Sequence, residues 1–220
     1  MKSGNIVLIG PTNSGKSSLV NKIMGQRVSL VSRKKQSTTF NQKVYKKFSE
    51  NEFIIQDTPG FFSSRKKINN NIISSPLAEI ETSDLIYVVV DISLRINNEY
   101  KRIINSLENK IEKQHVFLIL NKIDKVKKDK VLSAIKFYSK EKIFNEIFPI
   151  SSLTGEGVAN LIKFSKKFTI KTSIKSKPSS SIQIKKKLFY SEVTREKILD
   201  KIHRELSLIH ISEPTRPRII

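Results

Sequence analysis

Apolar runs alternate with amphipathic segments along the first part of the chain, and this pattern predicts strands and helices in turn. Asn5 to Ile9 is an apolar run that a glycine ends, which predicts a strand. Lys16 to Met24 has apolar residues at the spacing of an amphipathic helix. Gln26 to Asn41 is polar and basic, and predicts a loop. Val44 to Phe48 and Phe53 to Asp57, joined by a polar turn, predict a β-hairpin.

Two continuous apolar runs follow and predict strands that are buried on both faces. These are Leu85 to Asp91 and Val116 to Leu120. Phe148 to Ile150 predicts a sixth, short strand, and a helix from about Gly157 to Phe168 follows it. The alternation is typical of the α/β class. We therefore predict a mostly parallel, six-stranded sheet with helices on both faces.

The length of 220 residues suffices for one complete domain and the beginning of another. We assign residues 1–170 to the first domain and residues 171–181, rich in Ser and Lys with one proline, to a linker. Residues 182–206 regain helical spacing and predict the start of a second domain. Residues 207–220 contain two prolines and no clear period, and form a tail that resembles neither part.

The composition restricts the chemistry and suggests partners. Cysteine is absent, which excludes disulfides, thiolate zinc sites and cysteine nucleophiles. No apolar run is long enough to cross a bilayer, so we expect a soluble, cytoplasmic protein. A formal net charge of +21 attracts polyanions, and nucleic acid is the natural partner. The alternative is that the lysine excess reflects an AT-rich coding sequence; the two explanations are compatible.

A phosphate-binding motif lies between the first strand and the first helix, which is the context that this motif requires. The glycines let successive backbone N–H groups point inward at phosphate oxygens. Lys16 is expected to contact the β and γ phosphates, and the Ser17 hydroxyl to bind Mg²⁺. The motif predicts a P-loop NTPase domain. Its residues are Gly10, Pro11, Thr12, Asn13, Ser14, Gly15, Lys16 and Ser17.

Asp57, Thr58, Pro59 and Gly60 follow a predicted strand about forty residues after the P-loop lysine. In that place the Asp57 carboxylate is expected to lie beside Mg²⁺, and the Gly60 N–H to lie where a γ phosphate binds. Three of these residue types, Asp, Pro and Gly, also dominate ordinary turns. The position of these residues after a strand favours a phosphate site over an ordinary turn.

Two further segments predict a guanine site at the carboxyl edge of the sheet, where open α/β folds bind ligands. Asp124 can accept hydrogen bonds from guanine N1–H and the 2-amino group, which adenine does not offer. We expect this carboxylate to be buried, so that leaving it unpaired rejects ATP. Each segment alone has an ordinary explanation, a lysine-rich composition or helix capping, but they occur together with the phosphate motifs. The residues are Asn121, Lys122, Asp124, Ser151, Ser152 and Leu153, with the Ser152 N–H directed at guanine O6.

With these motifs in order, residues 3–206 resemble the translation-factor-like branch of bacterial GTPases, and most closely the Era family, which assists assembly of the small ribosomal subunit. The more family-like stretches are Val28–Lys34, Gln36–Thr39 and Glu192–Lys197. The resemblance implies GTP hydrolysis, binding of ribosomal RNA and of the small subunit, and a monomer. It also implies that Glu192–Lys197 begins an RNA-binding KH-type domain.

The resemblance also assigns residues outside the shared motifs. Thr39 matches the switch threonine that binds Mg²⁺ in the GTP state, with Thr38 as the alternative. Asn13 matches the position that helps to hold K⁺ in potassium-stimulated relatives. Asp57 would bind Mg²⁺ through water. Phe61 follows Gly60 where Ras-type enzymes keep a water-orienting glutamine, so we expect slow hydrolysis. The GTP cycle would then be a molecular switch, in which γ phosphate and Mg²⁺ order the loops and hydrolysis releases them.

One departure from the family is evident. A KH domain clamps RNA with a Gly-x-x-Gly loop, and no glycine occurs after Gly157. We interpret residues 182–206 as the truncated, α-helical start of this domain and residues 207–220 as foreign to it. Two alternatives to the Era-type switch stay open. One is an RNA-associated module that binds nucleotide without turnover, and the other is a GTPase of the tRNA-modification or tandem-domain type. The positive charge is also compatible with peripheral contact at the inner face of the cell membrane.

Overall fold

The computed structural model describes residues 2–26, 42–58, 76–94, 98–108, 110–111 and 113–169. Within these ranges one six-stranded sheet has the spatial order β2-β3-β1-β4-β5-β6. β2 and β3 form an antiparallel hairpin, and the other neighbours are parallel. The mostly parallel sheet is thus confirmed. The strands are β1 (Lys2–Ile9), β2 (Gln42–Phe48), β3 (Asn51–Asp57), β4 (Leu85–Asp91), β5 (His115–Asn121) and β6 (Glu146–Pro149).

Helices cover both faces of the sheet, as the alternation of elements predicts. α1 (Lys16–Met24) and α5 (Val158–Ser165) pack on one face, over a core that includes Leu19 and Leu161. α2 (Pro76–Glu81), α3 (Asn98–Glu108) and α4 (Lys128–Tyr138) pack on the other. Alternate residues of the central strands enter the two cores. β4 therefore has six buried residues in succession, with only Asp91 at its end partly exposed.

α2, α3 and α4 are not among the predicted helices. α4 is rich in lysine, and its apolar stripe of Val131, Ile135 and Tyr138 buries only the tyrosine fully. α3 has four buried residues at the spacing of an amphipathic helix, so its sequence carries a signal that the prediction missed: Tyr100, Ile103, Ile104 and Leu107. β1 also begins before its apolar run, since Lys2 and Ser3 pair with Asn51 and Glu52 of β3. Backbone pairing at the end of a strand needs no apolar side chain.

Phe117 of β5 is the centre of an aromatic cluster that holds the last helical segment against the sheet. Its ring is fully buried. It stacks on Tyr87 of β4 with ring centroids 6.0 Å apart. It also contacts Phe164 of α5, at 5.7 Å, and Phe168 of the following 3₁₀ turn, at 5.3 Å. The cluster explains why the chain stays packed as far as Phe168.

No helix in these ranges is long and apolar enough to cross a membrane. All the described residues lie in one compact unit of the chain, residues 1–183. The predicted linker, the start of the second domain and the tail lie outside the described residues. The division of residues 171–220 therefore stays a prediction.

Replacing Phe117 with alanine should lower the free energy of unfolding by about 3–5 kcal/mol, because the change leaves a cavity among the surrounding rings. The measurement is urea unfolding followed by circular dichroism. Phe137 of α4, 51% exposed, provides the matched control, and Phe137→Ala should change stability by about 0.5 kcal/mol or less. Equal losses in the two variants would contradict this view of the core.

Candidate functional site

The carboxyl ends of β1, β3, β4 and β5 meet at one edge of the sheet, and the predicted site residues lie there. β1 is the point where the strand order reverses, since it lies between β3 and β4. The P-loop runs from the end of β1 into α1. Asp57, Asp91 and Asn121 are the last residues of β3, β4 and β5.

Two glycines of the P-loop have no room for a side chain. Gly10 has φ 154°, and a Cβ there would lie 2.2 Å from the Val89 carbonyl oxygen of β4. Gly15 has φ 98°, and a Cβ would lie 2.2 Å from Asn121 Nδ2. Asn13 also adopts a left-handed conformation, with φ 62°. The loop is therefore fitted closely against the ends of β4 and β5.

Lys16 is buried below this loop. Its ammonium donates hydrogen bonds to the carbonyl oxygens of Gly10 and Pro11, at 3.0 and 2.9 Å. Burial lowers the pKa of Lys16 to about 8, and the nearby carboxylates of Asp57 and Glu99 act against this decrease. The neighbouring Ser17 is also buried. A buried cation with weak neutral acceptors is suited to receiving an anion.

Asp57 is fully buried at the end of β3. The next residue, Thr58, donates a hydrogen bond from Oγ1 to the Leu8 carbonyl oxygen at 2.6 Å, which ties this end of β3 to β1. The Ser17 hydroxyl and the Asp57 carboxylate are hard oxygen ligands near Lys16, and such a set fits Mg²⁺. The remaining predicted residues, Thr38, Thr39, Pro59, Gly60 and Phe61, lie outside the described residues.

Asn121 joins the three loops of the site. Its Nδ2 donates to the Ser14 carbonyl oxygen of the P-loop at 2.8 Å. Its Oδ1 accepts hydrogen bonds from the N–H and the hydroxyl of Ser152, at 3.0 and 2.9 Å. The same oxygen accepts from the Lys122 N–H at 2.8 Å. One buried side chain thus links the P-loop to both segments of the predicted guanine site.

Lys122 crosses the P-loop and is held by a carboxylate. Its backbone is left-handed, with φ 67°. Its ammonium donates to the Asn13 carbonyl oxygen at 2.7 Å and to Asp91 Oδ2 at 2.6 Å. Burial acts to raise the pKa of Asp91, but the hydrogen bonds from Lys122 and Ser93 outweigh it and hold the pKa below its usual value. Asp91 is therefore ionised and fixes the lysine in place.

Asp124 is exposed at the edge of the site, whereas we expected a buried carboxylate. It lies in a 3₁₀ turn after β5, outside both cores. Ser151 orients it by donating a hydrogen bond from Oγ to Asp124 Oδ1 at 2.6 Å. The Ser151 hydroxyl in turn accepts from the Thr154 N–H at 3.1 Å. In this structure the Asp124 carboxylate is open to water.

The loop after β6 differs in detail from the prediction. The Ser152 N–H donates to Asn121, so in this structure it is not directed at a ligand. Leu153 is 77% exposed, and its carbonyl oxygen accepts from Lys22 of α1 at 3.5 Å. No hydrogen bond of the Leu153 N–H is present among the described residues. Of the two N–H groups, that of Leu153 is therefore the one open to a ligand in this structure.

Asp91 and Glu99 belong to the site but were not predicted from the sequence. Asp91 had a visible signal, because it is a polar residue at the end of a buried strand, as Asp57 is. Glu99 accepts a hydrogen bond from the Thr12 N–H of the P-loop at 3.1 Å. Glu99 gave no signal of its own, since nothing in the sequence pairs it with Thr12, 87 positions away.

Replacing Asn121 with alanine should lower the free energy of unfolding by about 2–4 kcal/mol, measured by urea unfolding without nucleotide. The change leaves the Ser14 carbonyl and the Ser152 N–H buried without partners, at about 1–3 kcal/mol each. Asn160, exposed on α5, is the control, and Asn160→Ala should be nearly neutral. A stable N121A variant that only lost nucleotide affinity would argue against this joining role.

A family model described as a 50S ribosome-binding GTPase matches residues 5–122. The GTPase Era of Clostridium beijerinckii is 34% identical over 206 residues, which are 93% of this chain and 68% of that protein. The GTPase Era of Agrobacterium fabrum is 31% identical over 93% of this chain and 64% of its own length. The chain thus spans about two thirds of the length of these relatives.

Solved structures agree with the sequence comparison. Era in complex with MgGDPNP and nucleotides 1506–1542 of 16S ribosomal RNA superposes with a TM-score of 0.76 at 26% identity, covering 90% of this chain and 67% of that one. A point variant of Aquifex aeolicus Era bound to GDP and AlF4⁻ gives 0.75 at the same identity and coverage. Together with the P-loop, the Asp57 strand end and the Asn121 to Asp124 segment, these matches show that the chain belongs to the Era family of GTPases.

Proposed function

We propose that this chain binds GTP with Mg²⁺, hydrolyses it slowly as a molecular switch, and acts on the small ribosomal subunit through ribosomal RNA. The observation that carries the nucleotide part is the position of Asn121, which fixes the P-loop and the guanine loop relative to each other. A nucleotide has its phosphates and its base at its two ends. A rigid link between the two loops supports recognition of both ends by one site.

On the phosphate side, we assign the β and γ phosphates to Lys16 and to the N–H groups of the P-loop. The ammonium exchanges two neutral carbonyl acceptors for charged oxygens, and hydrogen bonds to charged groups are the stronger ones. Ser17 would hold Mg²⁺ by its hydroxyl, and Asp57 would hold it through water. When bound, Mg²⁺ neutralises charge on the transferred phosphoryl group. Thr39, or else Thr38, completes this set in the GTP state, with Gly60 at the γ phosphate.

On the guanine side, we assign the N1–H and the 2-amino group to Asp124. Ser151 leaves one carboxylate oxygen available, because its hydroxyl bonds only Oδ1. The Leu153 N–H is our candidate donor to guanine O6, since Ser152 is engaged with Asn121. The methylene chain of Lys122, held by Asp91, packs beside the base.

Asp124→Asn should reverse the preference for the base. We expect GTP affinity to fall by a factor of about 10² or more, because the amide nitrogen meets the guanine 2-amino group as a second donor. Xanthosine triphosphate has an oxygen at that position and should bind better than GTP. Competition against a fluorescent nucleotide measures both. The control is Asp129→Asn, on an exposed residue of α4, which should leave the preference for GTP unchanged.

No glutamine follows Gly60 to orient the attacking water. We therefore assign this function to backbone groups and a monovalent cation. Asn13 supports this part of the proposal, because its left-handed backbone is fixed by Lys122 at the mouth of the P-loop. A cation held there would stabilise the charge that develops between the β and γ phosphates. K⁺ is the cation we propose.

Replacing NaCl with KCl should raise the rate of GTP hydrolysis by roughly ten-fold, a modest share of what one well-placed positive charge contributes to phosphoryl transfer. In Asn13→Ala the two salts should give equal rates. Phosphate release at saturating GTP and Mg²⁺ measures this. Asn160→Ala should keep the difference between the salts. Equal rates in the parent protein would remove the cation from the proposal, and binding without any release would favour a nucleotide-binding module.

The ribosomal part rests on the relatives and on charge. One relative was solved with 16S ribosomal RNA, and the net charge of +21 favours a polyanion. Because these 220 residues contain no glycine after Gly157, the RNA contact that they make does not use a Gly-x-x-Gly clamp. We propose that the protein is a cytoplasmic monomer. Its basic surface binds RNA by electrostatic contacts and does not bind a membrane surface.

A salt titration tests the RNA contact. The affinity for a fragment of small-subunit RNA should fall steeply and linearly with log salt, as expected when several phosphates release counterions. Vesicles that contain anionic lipid are the comparison, and we expect weaker binding to them. Stronger binding to the vesicles would instead assign the basic surface to lipid headgroups.

A further inference from the structure

Glu99 connects the first turn of α3 to the P-loop. Its Oε1 accepts a hydrogen bond from the Thr12 N–H at 3.1 Å, and Oε2 lies 3.5 Å from the Thr12 hydroxyl. Both residues are half-buried. They are 87 positions apart in the chain, so the contact is purely tertiary. A carboxylate that accepts from a backbone N–H makes a charge-assisted hydrogen bond, stronger than a neutral one.

This contact sets the direction of a backbone group in the loop. The N–H groups of a P-loop bind phosphates by pointing inward. The Thr12 N–H is instead directed at α3, and the carbonyl of the next residue, Asn13, is directed at Lys122. Lys122 is in turn held by Asp91. Two successive residues of the loop are thus anchored to the two ends of the β4–α3 connection, Asp91 at one end and Glu99 at the other.

We propose that Glu99 is a positioning residue for the nucleotide, which acts through the Thr12 N–H to keep the first half of the P-loop in its binding conformation. The inference rests on the proposed function, because it concerns the same nucleotide site. Glu99 bonds the loop and not the transferred phosphate. Its hydrogen bond to the loop contributes equally in the ground state and the transition state, so losing it changes affinity far more than the turnover number. Glu99 also acts on the charge of Lys16, but less than Asp57 does.

Glu99→Ala should raise the dissociation rate of a fluorescent GDP about three- to ten-fold, the loss expected for a half-exposed hydrogen bond to a charged group. KM for GTP should rise by a similar factor, and kcat should change by less than about two-fold. Glu99→Gln keeps a carbonyl acceptor, so its dissociation rate should lie between those of the parent and Glu99→Ala. Glu108→Ala removes an exposed carboxylate from the other end of α3 and is the matched control.

A double-mutant cycle tests whether Glu99 acts through Thr12. Thr12→Pro removes both the N–H and the hydroxyl. Proline fixes φ at a negative value of about −65°, and Thr12 is not among the residues with a positive φ. Adding Glu99→Ala to Thr12→Pro should give no further increase in dissociation rate, because the interaction is already absent. Thermal unfolding of each variant separates a loss of fold from a loss of positioning.

Three results would overturn the inference. These are a dissociation rate in Glu99→Ala equal to that in Glu108→Ala, a decrease in kcat without a change in KM, or additive effects in the cycle. Failure of the parent protein to bind GDP at all would instead reject the proposed function. The two failures are therefore distinguishable in one set of measurements.

Discussion

The nucleotide site depends on one buried amide, that of Asn121. Loops at the edge of a sheet are held by few backbone hydrogen bonds, because the ladder ends where they begin. Here the Asn121 side chain supplies the missing contacts, with a donor to the P-loop and an acceptor for the loop after β6. It lies at the end of a strand whose central residues, 116–120, are buried in the two cores. The precision of the site is thus set by the rigidity of β5.

The close packing of Gly15 against this amide has a physical consequence. The distance that a Cβ would have from Asn121 Nδ2, 2.2 Å, is far below any real contact. Glycine at this position therefore does two things, since it permits φ of 98° and lets the amide reach the Ser14 carbonyl. The glycines that let the backbone N–H groups curl around phosphate also let the base-binding side of the site approach the loop. The proposed phosphate and base sites therefore share one structural requirement, a glycine at position 15.

The sequence predicted the sheet, the P-loop and two of the strand-end residues, Asp57 and Asn121, because each has a local signal. A buried parallel strand is a continuous apolar run, and a P-loop has glycines at fixed positions. It did not predict the exposure of Asp124, which depends on a 3₁₀ turn that leaves both cores. Nor did it predict Glu99 or the engagement of the Ser152 N–H. These depend on distances between segments that are remote in the chain, and no periodicity encodes such distances.

The electrostatics of the P-loop follow from the same arrangement. Lys16 is buried, and burial lowers its pKa to about 8, while its ammonium donates hydrogen bonds to two carbonyl oxygens. The carboxylates of Asp57 and Glu99 keep it charged, but each lies on a different element, β3 or α3. Asp57 is fully buried, whereas Glu99 is half-exposed and hence more screened. The stronger support for the cation therefore comes from Asp57, which is also the carboxylate that we propose as a Mg²⁺ ligand. In the proposed complex, Asp57 would be shared between Lys16 and the metal ion, and phosphate oxygens would be the further partners of the ammonium.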